Sequence, residues 1–203
     1  MTKAVIFDLG NVIVPFDFRK GYERLSPLCG LAPAQIPARL GSTDLIARYE
    51  SGQMETPDFV RRLGEVVGFD LPVAEFAEIW SIIFEPYTLI PDHLPEQIRQ
   101  AGYRTLLLSN TNELHFEFVR RNYPILRHFD DLVLSYRVQA IKPQPAIFEE
   151  AIRRAGCAPA EIFFTDDIPA YVAAAREAGI DAVQFHSYEQ LCRELAARGV
   201  VTA

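Results

Sequence analysis

The chain has 203 residues, of which 49% are hydrophobic and 23% are charged, and this composition is typical of a folded globular protein. It excludes a disordered or collagen-like chain, and the length suits one or two domains. The formal net charge of −7 argues against non-specific binding to nucleic acid or to an anionic membrane. A small anionic substrate at a locally positive site stays compatible with that charge. Composition leaves the oligomeric state open.

The three cysteines indicate a reducing compartment. Cys29, Cys157 and Cys192 are widely spaced and odd in number, which argues against a disulfide framework and against a zinc site. The first residues carry a charge too early for a signal peptide, and no apolar run is long enough for a transmembrane helix. We therefore expect a soluble, cytoplasmic protein.

From residue 103 onward, short apolar runs alternate with helical patterns. Four of the patterns predict helices, at 113–121, 145–154, 169–178 and 188–198, and glycines follow the last three. Buried strands are predicted at 4–7, 105–108, 132–134, 162–164 and 182–185. This alternation predicts an α/β fold with a parallel, Rossmann-like sheet.

The segment 16–87 differs because it contains helical patterns but no strand-like run. Thr56 followed by Pro57 predicts a helix start with Thr56 as the N-cap. Phe76, Ile79 and Trp80 form an apolar stripe that is typical of a helix–helix core. We predict about four helices here, forming a small helical cap at 16–87 that is inserted into a core of 1–15 and 88–203.

Polar residues follow the predicted strands at the edge where parallel sheets bind ligands. These residues are Asp8, Ser109 with Asn110, Lys142, and Asp166 with Asp167. Carboxylates without histidine or cysteine partners suit Mg²⁺, and a carboxylate can also attack phosphorus. A lysine and backbone N–H groups would hold a phosphate, so the set indicates phosphoryl transfer through an aspartyl-phosphate. Asn110 is equally well explained as an N-cap with Glu113 completing a capping box.

Four segments, in this order along the chain, resemble the motifs of the haloacid dehalogenase-like (HAD) hydrolases. They are 7–12 (FDLGNV), 108–111 (LSNT), 141–148 (IKPQPAIF) and 163–167 (FFTDD). The resemblance implies a phosphatase-type enzyme with the helical cap closing over the site, and it is specific for the family but not for the substrate.

The resemblance also implies a role for each matched residue. Asp8 would be the nucleophile and a metal ligand, and Lys142 would bridge Asp8 and the phosphate. Ser109 and the Asn110 backbone N–H would hold the phosphoryl oxygens. Magnesium would be bound by Asp8, the Gly10 carbonyl and Asp167, with Asp166 beside it through water.

Two positions depart from the family pattern. Phosphatases of this family usually carry a second aspartate, two residues after the nucleophile, that protonates the leaving group, and here this residue is Gly10. We therefore expect the rate to depend steeply on the pKa of the leaving group, unless another acid such as Asp17 replaces it. The second departure is Tyr171, where relatives often have Asp or Asn supporting the metal site.

Other candidate residues lie in the predicted cap. Arg39, Arg48 and Tyr49 are possible substrate contacts, and the loop 50–54 is either a plain glycine turn or a segment that reaches the active site. The four histidines have no metal-binding spacing and are predicted to be packing or surface residues.

Three functions fit the sequence. The first is a Mg²⁺-dependent phosphatase acting on a small phosphorylated metabolite, with sugar phosphates as one class. The second is a metal-free 2-haloacid dehalogenase, against which the Asp166–Asp167 pair argues. The third is a catalytically weak member that binds a phospho-ligand or a protein partner.

Overall fold

A five-stranded parallel sheet forms the centre of the protein in the computed structural model, which describes residues 1–200. The strand order is β3-β2-β1-β4-β5, so the first strand lies in the middle of the sheet. The strands are β1 (Ala4–Phe7), β2 (Arg104–Ser109), β3 (Asp131–Leu134), β4 (Ile162–Asp166) and β5 (Asp181–Gln184). The predicted α/β, Rossmann-like fold is confirmed.

The helices fall into two groups along the chain. The first group lies between β1 and β2: α1 (Phe18–Cys29), α2 (Ile36–Gly41), α3 (Leu45–Glu50), α4 (Thr56–Val67), α5 (Val73–Ser81) and α6 (Leu94–Gln100). The second group lies among the later strands: α7 (Glu113–Asn122), α8 (Ser135–Val138), α9 (Pro145–Ala155), α10 (Pro169–Glu177) and α11 (Tyr188–Ala197). Within residues 1–200, none of the helices combines the length and apolar character needed to cross a bilayer.

Helices cover both faces of the sheet, which explains why its strands are continuous apolar runs. Every residue of β1 is fully buried. Val5 and Phe7 pack with side chains of α6, α7 and α11 on one face, whereas Ala4 and Ile6 pack with α9 and α10 on the other. The predicted strands and later helices agree with the observed ones to within two residues at each end.

Helices α1–α5 pack around a hydrophobic core of their own. Phe59 lies at its centre, with its ring 5.7 Å from Trp80 and 6.1 Å from Phe76. This explains the apolar stripe of α5 as packing between helices. The helices rest on the edge of the sheet where the candidate site residues lie, with α5 against α7 and α3 against α8.

The predicted Thr56 cap is wrong, and the alternative interpretation of Asn110 as a cap is excluded. Helix α4 begins at Thr56, one residue early, and the Thr56 hydroxyl contacts Tyr49 and Glu113 instead of capping the helix. The cap of α7 is Asn112, whose Oδ1 accepts the His115 N–H at 3.0 Å. Asn110 and Glu113 therefore form no capping box and are available for other contacts.

Candidate active site

Three polar side chains meet where the central strands β1, β2 and β4 end. Asp8 directly follows β1, Ser109 is the last residue of β2, and Asp166 is the last residue of β4. Because β1 lies between the other two strands, their carboxyl ends are neighbours. All three side chains are buried, and Asp167 follows at the half-buried rim.

The Lys142 ammonium lies between two of these carboxylates. Its Nζ is 2.7 Å from Asp8 Oδ1 and 2.5 Å from Asp166 Oδ2, and it also donates to the Leu108 carbonyl at 3.1 Å. Burial lowers the pKa of Lys142, but the two carboxylates outweigh it and raise the pKa above its ordinary value, so the ammonium stays charged. Burial raises the pKa of Asp8, and the Lys142 charge opposes that rise. One cation is thus shared by two buried acids.

Asn110 fixes the backbone that carries Lys142. Its side-chain oxygen accepts the Lys142 N–H at 2.7 Å, and its side-chain nitrogen donates to the Lys142 carbonyl at 3.0 Å. This pair of hydrogen bonds ties the end of β2 to the loop before α9. The side chain of Asn110 therefore has a positioning role, and only its backbone N–H is left for a ligand.

The carboxylates of Asp8, Asp166 and Asp167 fit a hard divalent cation. Each offers an oxygen within 4.8 Å of the oxygens of the other two. All-oxygen ligation with room for water is what Mg²⁺ prefers. Asn11 Nδ2 lies 3.4 Å from Asp167 Oδ2 and orients that carboxylate. The Gly10 carbonyl, two residues after Asp8, accepts no backbone hydrogen bond within the described chain, so it is available as a further ligand.

A phenylalanine occupies the space beside Gly10. A Cβ built on Gly10 would lie only 2.6 Å from Cε1 of the Phe16 ring. Gly10 does not have a positive φ, so its backbone conformation would accept a side chain. A side chain on residue 10 would therefore require the Phe16 ring to move.

Tyr171 covers Lys142 and does not contact the acids. Its ring centroid is 5.0 Å from Lys142 Nζ, and its hydroxyl is 3.4 Å from Asn110 Nδ2. An ammonium near an aromatic face is stabilised by the ring quadrupole. The second departure from the family pattern thus places an aromatic ring beside the lysine.

These residues line one cavity of about 170 Å³. The core supplies its polar wall, and the cap side supplies an apolar wall that includes Phe16, Phe18, Ile83 and Phe84. This volume is below the roughly 300–1,000 Å³ of pockets for drug-sized ligands, so the cavity suits a small molecule.

The family model of the haloacid dehalogenase-like hydrolases matches residues 2–179. The chain belongs to this family. D-ribitol-5-phosphate phosphatase of Bacteroides thetaiotaomicron is 30% identical over 191 residues, which cover 91% of this chain and 92% of that protein. Glyceraldehyde 3-phosphate phosphatase of Methanopyrus kandleri is 26% identical, over 82% of this chain and 76% of that protein. The predictions of a hydrolase and of a phosphatase-type HAD member are confirmed.

The fold agrees with solved structures of the same family. An enzyme of the HAD family from Bacteroides thetaiotaomicron, crystallised with magnesium and inorganic phosphate, superposes with a TM-score of 0.82 at 24% identity. The superposition covers 94% of this chain and 99% of that one.

The cap loop of this HAD hydrolase is fastened to the core by polar contacts. The Tyr49 hydroxyl lies 2.8 Å from the Thr56 hydroxyl, which in turn donates to the Glu113 carboxylate at the start of α7. Gly52 has a φ of 67° and lies so close to the Tyr136 carbonyl that a Cβ there would overlap it. The loop is therefore more than a plain turn, because it holds the cap against the sheet edge.

The cap residues that were candidate substrate contacts do not line the cavity. Arg39 is exposed, Arg48 is half-buried outside the cavity, and Tyr49 is buried with its ring stacked on Phe59 at 4.1 Å. The cap residue that does line it is Glu50, at the end of α3. Asp17 also lies outside the cavity, because its carboxylate caps α1 and forms a bidentate pair with Arg19.

His115 is a packing histidine, as predicted, although it also borders the cavity. Its Nε2 lies 3.0 Å from the Trp80 carbonyl and its Nδ1 lies 3.1 Å from the Asn112 amide nitrogen. Both contacts are satisfied by a neutral ring that donates from Nε2 and accepts at Nδ1. Burial lowers the pKa of His115 to about 4.

We expect His115 to make the protein less stable in mild acid. Its folded-state pKa of about 4 is below the ordinary value of 6.5, so the unfolded chain takes up the proton first. The stability that the neutral ring contributes is therefore complete above pH 6.5 and is lost as the pH falls towards 4. Burial raises the pKa of Glu50 and Asp8, which changes stability in the opposite sense over the same interval. The contribution of His115 alone to the free energy of unfolding should fall by about 2 kcal/mol between pH 7 and pH 5. Urea titrations at the two pH values measure this loss.

Two variants separate His115 from the other titrating groups. On going from pH 7 to pH 5, His115→Gln should gain about 2 kcal/mol in stability relative to the native protein, whereas the exposed His93→Gln should follow the native pH dependence. An unchanged pH dependence in His115→Gln would contradict the assignment.

Three contacts in the site were not predicted from the sequence. The Asn11 side chain donates a hydrogen bond to Asp167, the Phe16 ring fills the space beside Gly10, and Glu50 lines the cavity. Only Asn11 had a visible signal, since it lies within the first motif and asparagine tolerates its positive φ of 53°.

Proposed function

We propose that the protein is a Mg²⁺-dependent phosphatase that hydrolyses a small phosphorylated metabolite through an aspartyl-phosphate on Asp8. The observation that carries this proposal is the Lys142 ammonium held between Asp8 and Asp166, next to a third carboxylate on Asp167. A shared cation and three convergent acids beside a cavity are more than a binding module needs.

Each residue of the site has a separate role in the proposed reaction. The Asp8 carboxylate attacks phosphorus as the ester P–O bond breaks, and water then hydrolyses the aspartyl-phosphate to restore Asp8. Lys142 neutralises the repulsion between Asp8 and the incoming phosphate, and the Ser109 hydroxyl and the Asn110 backbone N–H hold phosphoryl oxygens.

Magnesium would be held by Asp8, the Gly10 carbonyl and Asp167, with Asp166 beside them. When bound, the ion supplies positive charge that stabilises the phosphoryl group. Asp166 has both oxygens engaged already, by Lys142 and by the Ile168 N–H at 2.9 Å, which supports its assignment to a place beside the ion.

The substrate we propose is a short sugar phosphate or polyol phosphate. The cavity of about 170 Å³ has room for a small molecule, and two similar proteins are phosphatases of ribitol and glyceraldehyde phosphates. The solved relative with magnesium and phosphate supports the same ligand chemistry in this fold. We infer that residues 16–87 act as the cap and exclude bulk water from the cavity.

A reducing cytoplasm is the proposed compartment. All three cysteines are free and half-buried, as expected where thiols stay reduced.

Removing the metal tests the proposal. We expect phosphate release from a panel of metabolite phosphates to stop in a chelator and to return with Mg²⁺. Asp167→Ala should lower kcat/KM by at least about 100-fold, because a metal ion contributes several kcal/mol to transition-state stabilisation. Calorimetric titration of the same variant should show weakened Mg²⁺ binding.

The exposed Asp70→Ala is the matched control and should behave as the native protein. Full activity in chelator, with halide release from 2-haloacids, would contradict the proposal and favour the dehalogenase.

A further inference from the structure

The site lacks a proton donor where this chemistry needs one. A departing alkoxide is a strong base, so a positioned acid speeds its release. Gly10 has no side chain, and the Phe16 ring makes that wall of the cavity apolar. A proton supplied by the protein must therefore come from another group that lines the cavity.

The titratable groups that line the cavity are Asp8, Glu50, His115, Lys142, Asp167 and Tyr171. Asp8 and Lys142 form an ion pair with each other, and Asp167 belongs to the cluster of acids that fits the metal. Both nitrogens of His115 have hydrogen-bond partners in the protein. Burial raises the pKa of Tyr171 above its ordinary value of 10, which makes the phenol a weak acid.

Glu50 is the remaining group, and its carboxyl is free to act. Within residues 1–200 it forms no hydrogen bond and no ion pair, and burial alone shifts its pKa. It lines the same cavity as Asp8 and Lys142. Burial raises the pKa of Glu50 to about 7, so a large fraction carries a proton at neutral pH.

The residues before and after Glu50 in the sequence are both held by tertiary contacts. Tyr49, before it, is stacked on Phe59 and bonded to Thr56, and Gly52, after it, is pressed against the Tyr136 carbonyl. The backbone that carries the Glu50 carboxyl is therefore held beside the cavity.

We propose that Glu50, from the cap, protonates the leaving oxygen in place of the missing acid at position 10. This inference rests on the proposed phosphatase function. In the first step an Asp8 oxygen forms a bond to phosphorus, the ester P–O bond breaks, and the Glu50 proton moves to the leaving oxygen to give the free alcohol. In the second step the Glu50 carboxylate takes a proton from the water that attacks the aspartyl-phosphate, which returns both residues to their starting forms.

The test is a series of phosphate esters with graded leaving-group pKa, measured as kcat/KM with saturating Mg²⁺. The native enzyme should show a shallow dependence on that pKa, in place of the steep one that Gly10 alone suggests. Glu50→Gln should lose about 10²- to 10⁴-fold on primary-alcohol phosphates, the usual contribution of a general acid, and little on aryl phosphates, whose leaving groups need no proton.

Glu55→Gln is the matched control, because Glu55 lies in the same loop but is exposed and outside the cavity. It should follow the native series. Glu50→Ala should steepen the series in the same way as Glu50→Gln, so the test does not depend on one variant folding.

The assignment would be overturned if a Glu50 variant lost the same factor on aryl and alkyl esters, or lost no activity at all. That outcome would leave the proposed phosphatase function intact. Absence of phosphate release from every ester by the native, Mg²⁺-loaded protein would instead overturn the proposed function.

Discussion

Replacing Asp8 with asparagine should lower kcat/KM for phosphate esters by at least about 10⁴-fold, as expected for the loss of a covalent nucleophile. The amide is nearly isosteric with the carboxylate, and its oxygen can still accept a hydrogen bond from Lys142. It cannot form a stable bond to phosphorus. Lys142 also keeps its second partner, Asp166, so the site should retain its geometry.

Two measurements complete this experiment. Thermal unfolding should show that Asp8→Asn is at least as stable as the native protein, because the substitution removes a buried charge. Mass spectrometry of native enzyme quenched during turnover should find one added phosphoryl group on a peptide that contains Asp8. A variant that keeps most of its activity would exclude the aspartyl-phosphate mechanism.

Replacing Lys142 with methionine should damage stability as well as activity. Methionine fills a similar volume, but Asp8 and Asp166 then lose the cation that they share. Removing one partner from a buried ion pair typically costs about 3 kcal/mol or more. Loss of the charge that faces the phosphate should lower kcat/KM by about 10²- to 10³-fold.

A double variant separates the two effects of Lys142. Adding Asp8→Asn to Lys142→Met should restore part of the free energy of unfolding, since only one unpaired carboxylate remains, and it should restore no activity. The surface variant Lys20→Met, which breaks the partly exposed pair with Glu85, should cost less than about 1 kcal/mol. Equal stability of Lys142→Met and Lys20→Met in urea titrations would contradict the role of Lys142 in holding the acids.

The sequence was sufficient for the sheet and for the polar residues at its edge. Strands such as β1 are buried on both faces, so their apolar runs are continuous and end visibly at Asp8. Parallel strands then bring Asp8, Ser109 and Asp166 together without any knowledge of side-chain packing. The fold therefore determines most of the acidic cluster.

The cap side of the site could not be predicted in the same way. Whether Tyr49 or Glu50 faces the cavity depends on how α3 is turned against the core, and adjacent residues of a helix point in different directions. That orientation is set by distant contacts, such as Thr56 with Glu113 and Gly52 with Tyr136. The exclusion of Asp17 is by contrast a local result, because Arg19, two residues further on, engages its carboxylate.

The contact between Gly10 and Phe16 makes these two positions interdependent. The same small volume can hold either a carboxyl on residue 10 or an aromatic ring on residue 16, and the ring holds it in this protein. A change to Asp at position 10 must therefore be accompanied by a smaller residue at position 16, or by rotation of the ring away from its contacts with Phe18 and Phe84. Conversion to the two-aspartate arrangement thus couples residue 10 to the position of the Phe16 ring, and the apolar wall of the cavity would become polar with it.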